Sequence, residues 1–203
     1  MNIAVIGTGR VGEVIGGGLA KAGHSVVYAS RNPAAQAGLP APTADVNSAV
    51  AGAEVVVDAI PGGAVLATLN SIGTEALAGK VLIDVANDLS ANYELSYPNS
   101  SLGSAIQEAF PHTRVVKTLN TVQAPLMNNP SSLPAPSTVF LAGNDSDAKS
   151  VVSGLLNDLG WPNDWQIDLG DISQARATEH FIFLSFGIAR SLGTIDVNIA
   201  VIH

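Results

Sequence analysis

The chain has 203 residues, of which 47% are hydrophobic and 13% are charged, and its formal net charge at pH 7 is −8. A chain of this length and composition is expected to form one globular domain with its own core, which excludes a disordered protein. The negative charge disfavours nucleic acid and membranes as partners, and the absence of cysteine excludes disulfides, thiolate zinc sites and thiol nucleophiles. Neither a signal peptide nor a membrane-spanning run is found, so we expect a cytoplasmic protein that acts on a small molecule.

Runs rich in Val, Ile and Ala alternate with helical patterns along most of the chain. Seven runs are predicted as strands: Asn2–Ile6, Ser25–Ala29, Glu54–Ile60, Val81–Val85, Arg114–Leu119, Ser137–Ala142 and Trp165–Leu169. Helices are predicted between the first two strands and over Gly62–Leu77, Leu102–Phe110, Asp147–Leu159 and Ile172–Leu192. This alternation predicts an α/β fold of the Rossmann type, in which residues 1–203 form a single domain around a doubly wound, mainly parallel sheet.

A glycine-rich turn follows the first predicted strand and opens the first helix. Its six residues are Gly7, Thr8, Gly9, Arg10, Val11 and Gly12. In the pattern G-x-G-x-x-G the first glycine permits a tight turn, the second lets the backbone approach a pyrophosphate, and the third lets helix and strand pack closely. Free N–H groups at the start of the helix attract phosphate. Between a strand and a helix, the pattern predicts dinucleotide binding rather than a merely tight turn.

The residues after the second predicted strand indicate which dinucleotide is bound. Sites for NAD usually have Asp or Glu there, about 20 residues past the glycines. This sequence instead has Ser30, Arg31 and Asn32. A guanidinium and a hydroxyl would bind a 2′-phosphate that a carboxylate would repel, so NADP(H) is the predicted cofactor. The alternative is that Arg31 is only a solvated charge at the end of a strand.

Five stretches of the chain carry further motifs: Gly7–Gly12, Ser30–Asn32, Leu82–Asn87, Val115–Thr121, and Asp168–Asp171 with Ala175 and Arg176. Together they resemble the small NADP-dependent oxidoreductases that use the deazaflavin coenzyme F-420, and related reductase domains that pass hydride from NADPH to a flavin. The resemblance implies that Ser30 and Arg31 hold the 2′-phosphate. It also implies that Ala59, Ile60 and Pro61 border the nicotinamide ribose, and that Asn87, Asn120 and Thr121 lie near the nicotinamide and a second ring system.

Two residues depart from the pattern of that family. Asp88 stands where the family usually has proline, and Asn120 stands where the deazaflavin enzymes often have histidine. These departures predict that the pocket accepts a second substrate different from that of the deazaflavin enzymes. The small-molecule hydride acceptor or donor therefore stays open, with F-420, FMN and FAD as the candidates.

The candidate catalytic residues are Asn120 and Lys117. Carbonyl reduction needs a proton donor, but the sequence has no Tyr-x-x-x-Lys motif and little room for a further helical domain. Transfer between two stacked rings needs mainly placement and nearby dipoles, which an amide such as Asn120 can supply. Lys117 is either a proton donor with a lowered pKa or, as we favour, a structural residue that reaches a carboxylate. Asp58 is expected to accept backbone N–H bonds at the tip of its strand, with a buried acid near the cofactor as the alternative.

The last predicted helix has Asp171 as its N-cap and Gln174 three residues later, as in a capping box. Its second half, Phe181–Ala189, is apolar almost all the way round, so it must be buried within its own chain or against a second copy in a homodimer. We expect residues 171–203 to supply a C-terminal helix and a strand that complete the acceptor site or the dimer interface.

Two other functions remain open from the sequence. One is a non-catalytic NADP(H)-binding sensor or regulator, and the other is an NADPH-dependent reductase of a small carbonyl or quinone. The four histidines share no metal-ligand spacing and the acidic residues match no calcium loop, so no metal is expected.

Overall fold

The chain folds around one sheet that is covered by helices on both faces. The structure, a computed structural model, describes residues 1–36 and 38–202. Within these residues the sheet has eight strands: β1 (Asn2–Ile6), β2 (Ser25–Ala29), β3 (Thr43–Ala44), β4 (Val55–Asp58), β5 (Val81–Asp84), β6 (Arg114–Thr118), β7 (Val139–Gly143) and β8 (Gln166–Asp168). The same part of the chain contains seven α-helices: α1 (Arg10–Lys21), α2 (Val46–Ala51), α3 (Gly62–Ile72), α4 (Thr74–Leu77), α5 (Leu102–Ala109), α6 (Ser146–Asp158) and α7 (Ala175–Leu192).

The order of the strands creates the site of binding. It runs β3-β2-β1-β4-β5-β6-β7-β8, and every neighbouring pair is parallel except β6 with β7. The chain winds from β1 to β3 on one side and then crosses to β4, so the order reverses between β1 and β4. In open α/β sheets the carboxyl ends of the strands at this reversal border a ligand crevice. The predicted Rossmann-type fold is confirmed.

Apolar side chains of the central strands pack on both faces of the sheet. In β1, Ile3 and Val5 join a buried cluster that includes residues of α1, whereas Ala4 and Ile6 join a second cluster that includes residues of α3. Because successive residues of a strand point to opposite faces, a strand covered on both sides is apolar throughout. This explains why the early strands are nearly continuous in Val, Ile and Ala.

Some local features differ from the prediction. The structure contains two short elements, β3 and α2, that the sequence pattern does not predict. The predicted helix Gly62–Leu77 is divided into α3 and α4 at Gly73, whose φ of +94° ends the first helix. The strand predicted over Glu54–Ile60 ends at Asp58, so the next two residues leave the sheet.

The start of α7 also differs from the predicted capping box. Asp171 accepts the N–H of Ser173 at 2.9 Å and thereby caps a short 3-10 turn, Ile172–Gln174, that precedes α7. The side chain of Gln174 contacts the Ser173 hydroxyl at 3.5 Å instead of returning to the N-cap backbone. The reciprocal part of the predicted box is therefore wrong, because α7 itself begins only at Ala175.

The apolar half of α7 is not buried within its own chain, and that alternative is wrong. Phe183, Leu184 and Phe186 are 42%, 55% and 39% exposed. None of the described helices is both long and apolar enough to span a bilayer. The predicted C-terminal strand is also wrong for residues 193–202, which contain no strand, although the N–H of Thr138 donates to the carbonyl of Ile199 at 2.7 Å.

Candidate functional site

The glycine-rich turn closes tightly over the end of β1. Gly7 has a φ of +116°, which residues with side chains rarely adopt, and a Cβ there would lie 2.4 Å from the carbonyl oxygen of Ala59. A Cβ on Gly12 would lie 2.2 Å from the carbonyl oxygen of Gly7. Gly9 differs, because its φ is −80° and the place where its Cβ would stand is open. Gly7 and Gly12 are therefore required by the packing of the turn, whereas Gly9 leaves room for a ligand.

Helix α1 begins at this turn and directs its first N–H groups into the space beside Gly9. Gly9 is the N-cap, and no side chain in the described part of the chain forms a capping hydrogen bond there. The first N–H groups of a helix have no partners within the helix and carry a partial positive charge. The start of α1 can therefore bind a pyrophosphate through its backbone.

Ser30, Arg31 and Asn32 lie together at the end of β2. The Ser30 hydroxyl accepts the N–H of Asn32 at 3.1 Å, so its own proton remains available to a ligand. Arg31 is exposed and forms no ion pair with any residue that the structure describes. A cavity of about 470 Å³ is lined by Ile6, Gly7, Thr8, Gly9, Ala29, Ser30, Arg31, Asn32, Gln36, Val46, Ala59, Ile60, Pro61, Ala64 and Thr68.

A second cavity, of about 450 Å³, continues from the first along the carboxyl edge of the sheet. It is lined by Gly9, Arg10, Val11, Ala59, Ile60, Pro61, Gly62, Val85, Ala86, Asn87, Asn120, Thr121, Val122, Gln123, Ala124, Met127, Ile182 and Phe186. The two cavities share Gly9 and the segment 59–61, and together they form one cleft. All site residues predicted from the sequence line this cleft except Gly12, which packs beneath the turn, and Lys117.

Asn87 and Asn120 hold each other at the far end of the cleft. The Asn87 side-chain amide donates to the backbone carbonyl of Asn120 at 2.8 Å, and the Asn120 amide donates to Oδ1 of Asn87 at 3.0 Å. Leu119, which precedes Asn120, has a φ of +60° although it is buried. Such a backbone costs about 1–3 kcal/mol and is typically found where a functional residue must be presented in one orientation.

Apart from Asn120 and Thr121, the sequence did not indicate which residues of the C-terminal half would line the cleft. The structure adds Ile182 and Phe186 of α7, together with Gln123, Ala124 and Met127. Phe186 also meets the ring of Tyr93 edge-on, with the centroids 6.1 Å apart. The only available signal is the apolar character of α7, which predicts burial but not a partner.

Lys117 lies beneath the cleft and is not among its lining residues. Its Nζ atom is 2.9 Å from Oδ2 of Asp84 and 2.8 Å from Oε1 of Glu179, and all three side chains are buried. Burial alone would lower the pKa of Lys117, but Asp84 and Glu179 outweigh burial and hold the pKa above its ordinary value. The lowered pKa expected of a proton donor is therefore wrong, and Lys117 occupies the structural position that reaches a carboxylate.

Asp58 is fully buried beside this group. Neither of its carboxyl oxygens forms a hydrogen bond of ordinary geometry with a described residue. The backbone N–H of Val85 is nevertheless close enough to lower the pKa of Asp58 in part, so the expected backbone contact is present only in this weak form. Burial, followed by the neighbouring carboxylate of Asp84, raises the pKa of Asp58 well above its usual value, and Lys117 opposes this only in part. Asp58 is thus a fully buried acid that does not line the cleft. The described residues contain no group of three His, Asp or Glu side chains placed to hold a metal ion.

Comparison with known proteins agrees with this architecture. A family model described as NADP oxidoreductase, coenzyme F420-dependent, matches residues 2–88. A solved structure from Arthrobacter sp. FB24, of a candidate F420-dependent NADP reductase, is 39% identical in sequence and superposes with a TM-score of 0.94, with 100% of each chain covered. This chain belongs to that family. It is accordingly an NADP-dependent oxidoreductase, and NADP(H) is the nucleotide of its family.

More distant relatives are similar to this chain in sequence or in fold. Metalloreductase STEAP3 of Rattus norvegicus is 30% identical over 181 residues, which cover 87% of this chain but only 35% of that protein. This chain thus spans about a third of the length of that relative. An imine reductase from Streptomyces aurantiacus is 18% identical with a TM-score of 0.71, covering 95% of this chain and 64% of the other. That likeness concerns the fold alone.

Asp88, one of the two departures from the pattern of the F-420-dependent family, lies against the start of α3. One of its carboxyl oxygens is 3.5 Å from the place where a Cβ on Gly63 would stand. A carboxylate is favoured at a helix N-terminus by the partial positive charge there. In this family member the acid therefore has a structural position beside the cleft, although it does not line it.

Proposed function

We propose that this member of the family transfers hydride between NADP(H) and a deazaflavin such as F-420, or a flavin such as FMN or FAD. The supporting observation is the character of the second cavity. Among the described residues that line it, only Arg10 is ionisable, and the others are apolar side chains, amides, one hydroxyl and glycines. A carbonyl substrate would need a proton donor beside it, whereas transfer between stacked rings needs placement and exclusion of water.

We assign the first half of the cleft to the phosphates of NADP(H). The N–H groups from Gly9 to Gly12 would bind the pyrophosphate, with the open space at Gly9 admitting it. Ser30 and Arg31 would bind the 2′-phosphate, because the hydroxyl has a free proton and the guanidinium has no competing acid among the described residues. Asn32 would orient the hydroxyl through its backbone N–H.

We assign the second half to the nicotinamide and the acceptor. When bound, NADP(H) supplies the hydride, and the protein has to orient the two rings. Ala59, Ile60 and Pro61 offer a small apolar wall for the ribose and ring, and Thr121 offers a hydroxyl. Asn120 is proposed as the catalytic residue, because Asn87 fixes both its backbone and its side chain and leaves one amide hydrogen and Oδ1 free to contact a ring.

The test is to offer the purified protein F-420, FMN, FAD and a quinone in turn and to follow the absorbance of NADPH. We expect oxidation with F-420 or a flavin, and slower oxidation in Asn120→Ala but not in Asn70→Ala, a control at an exposed position of α3. Tight NADPH binding without oxidation by any acceptor would instead indicate a sensor. Oxidation by the quinone alone, unaffected by added flavin or F-420, would indicate a quinone reductase.

We also propose that residues 171–203 serve two purposes, closing the acceptor site through Ile182 and Phe186 and joining two copies of the chain. The support is the exposed apolar face of α7, to which Phe183 and Leu184 belong. Burying a Leu or Phe side chain contributes about 1.5–3 kcal/mol, so a second copy would stabilise this face. Sedimentation velocity on the purified protein should find a dimer, and a monomer at micromolar concentration would contradict the proposal.

A further inference from the structure

One buried ammonium group connects three of the elements that surround the acceptor half of the cleft. Besides its contacts with Asp84 of β5 and Glu179 of α7, Nζ of Lys117 on β6 donates a hydrogen bond to the backbone carbonyl of Ala86. Lys117, Asp84 and Glu179 are almost inaccessible to solvent. Because water cannot replace any of these partners, the position of each element depends on the other two.

The strand residues of this cluster lie directly behind residues that line the cleft. Asp84 precedes Asn87 by three residues, and Lys117 precedes Asn120 by three residues. Ala86, which receives the hydrogen bond from Lys117, lines the cleft itself. If the Lys117 ammonium moved, Asn87 and Asn120 at the tips of β5 and β6 would therefore move as well, because only three residues of backbone separate each of them from the cluster.

The same relation holds on α7. Glu179 and Ile182 are three residues apart and Phe186 follows one turn later, so the three share one face of the helix. Glu179 points to the cluster, while Ile182 and Phe186 line the cleft. The position of Glu179 in the cluster therefore determines the positions of Ile182 and Phe186 in the cleft.

Glu179 also fastens α7 to the start of α5. Its Oε2 atom accepts the N–H of Leu102 at 2.9 Å, and its Oε1 atom accepts the N–H of Gly103 at 3.2 Å. One carboxylate therefore receives an ammonium and two backbone donors. Since a carboxylate offers about four lone-pair sites, most of its capacity is used within the protein and none is directed into the cleft.

We propose that Lys117 and Glu179 are positioning residues for the hydride acceptor. Their ion pair fixes the separation between α7 and the tips of β5 and β6, and so the width of the slot that Asn120 and Phe186 both line. The inference rests on the proposed function, because it supposes that an acceptor ring enters this slot. The first half of the cleft, which binds the nucleotide phosphates, does not contact the cluster and should be insensitive to it.

The variant Glu179→Gln tests this role with the least disturbance of the fold. It keeps the size of the side chain, removes one of two negative charges and leaves Lys117 paired with Asp84. Loss of a charge-assisted bond is expected to raise the KM for the acceptor by about tenfold, while the Kd for NADPH stays within about twofold. The matched control is Lys149→Met, which breaks an ion pair between α6 and β8, away from the cleft, and should leave both constants unchanged.

The acceptor panel is run on the wild-type protein first, so that two kinds of failure are separated. If no deazaflavin or flavin oxidises NADPH, the proposed function and this inference both fail. If the wild type is active, but Glu179→Gln changes the NADPH Kd as much as the acceptor KM, or changes neither, the positioning role is overturned and the proposed function stands. Should Glu179→Gln not fold, Glu179→Asp, which withdraws the charge by one methylene, is measured in the same way.

Discussion

The two halves of the cleft are built in different ways. The phosphate half, formed by Gly7–Gly12 and Ser30–Asn32, belongs to one β-α-β unit and relies on backbone N–H groups and a single turn. The acceptor half joins the tips of β5 and β6 to α7, and the bond from Leu102 to Glu179 spans 77 residues of sequence. We conclude that changes at the open positions of the first half, such as Gly9 and Arg31, should mainly alter nucleotide affinity, whereas changes behind the second half should alter folding or the shape of the slot.

The largest expected effect, on the free energy of unfolding, comes from Lys117→Met. This change leaves the buried carboxylates of Asp84 and Glu179 without the cation that they share. Removing one partner of a buried ion pair typically lowers the free energy of unfolding by about 3–5 kcal/mol. Urea denaturation would measure the loss. The control Lys149→Met removes a pair whose acid, Asp168, is 52% exposed, and should cost about 0–1 kcal/mol. Equal losses would show that the buried cluster does not stabilise the acceptor half.

Two glycine substitutions would separate packing from binding within the phosphate half. Gly12→Ala should lower the free energy of unfolding by about 1–3 kcal/mol and abolish NADPH binding, because the new methyl group meets the carbonyl of Gly7. Gly9→Ala should leave stability near that of the wild type and weaken NADPH binding, because its methyl group enters open space meant for the ligand. Urea denaturation and NADPH titration of both variants give the comparison. Unchanged NADPH affinity in Gly9→Ala would contradict the assignment of the turn.

Arg31→Ala should produce a change of affinity alone. One charge-assisted contact to the 2′-phosphate is worth roughly 1.5–3 kcal/mol, so NADPH binding should weaken by about tenfold to a hundredfold while NADH binding stays nearly unchanged. Titration of both nucleotides against Arg31→Ala and against Lys21→Ala, which removes the same charge from the far end of α1, tests this. Equal weakening for NADPH and NADH would refute the role in 2′-phosphate binding.

The smallest effect is expected in the pH dependence of stability at Asp58. Its raised pKa means that the folded protein holds a proton which the unfolded chain releases above about pH 4, so wild-type stability should fall as pH rises from there toward the folded-state value. Asp58→Asn removes this pH-dependent loss of stability. Between about pH 4 and the folded-state pKa of Asp58, the variant should therefore gain stability relative to the wild type as pH rises, by at most about 1.4 kcal/mol per pH unit.

Urea denaturation at several pH values would measure the slope. Asp45→Asn provides a control of opposite sign, because the bond from Ser48 lowers the pKa of that exposed carboxyl and its contribution is lost as pH falls. Parallel slopes for the wild type and Asp58→Asn would contradict a raised pKa at Asp58.

Much of this arrangement could be predicted from local patterns. Continuous apolar runs such as Asn2–Ile6 indicated strands covered on both faces, and the strand-to-helix placement of Gly7–Gly12 indicated a phosphate-binding turn. For Lys117 the sequence predicted a contact with a carboxylate but not which one. Its partners, Asp84 and Glu179, lie 33 and 62 residues away, and no local pattern identifies them. The neighbours of Asp58 could not be predicted either, because Asp84 and Lys117 belong to other strands.

The sequence by itself determined the Rossmann-type fold, the family and most of the residues that line the first half of the cleft, because turns, periodicity and short motifs depend on only a few neighbouring residues. The tertiary structure alone decided that α7 leaves Leu184 exposed, that Ile182 and Phe186 line the same cavity as Asn120, and that Glu179 reaches the ammonium of Lys117. Those contacts join distant parts of the chain, and their energies depend on burial that exists only once the sheet has assembled.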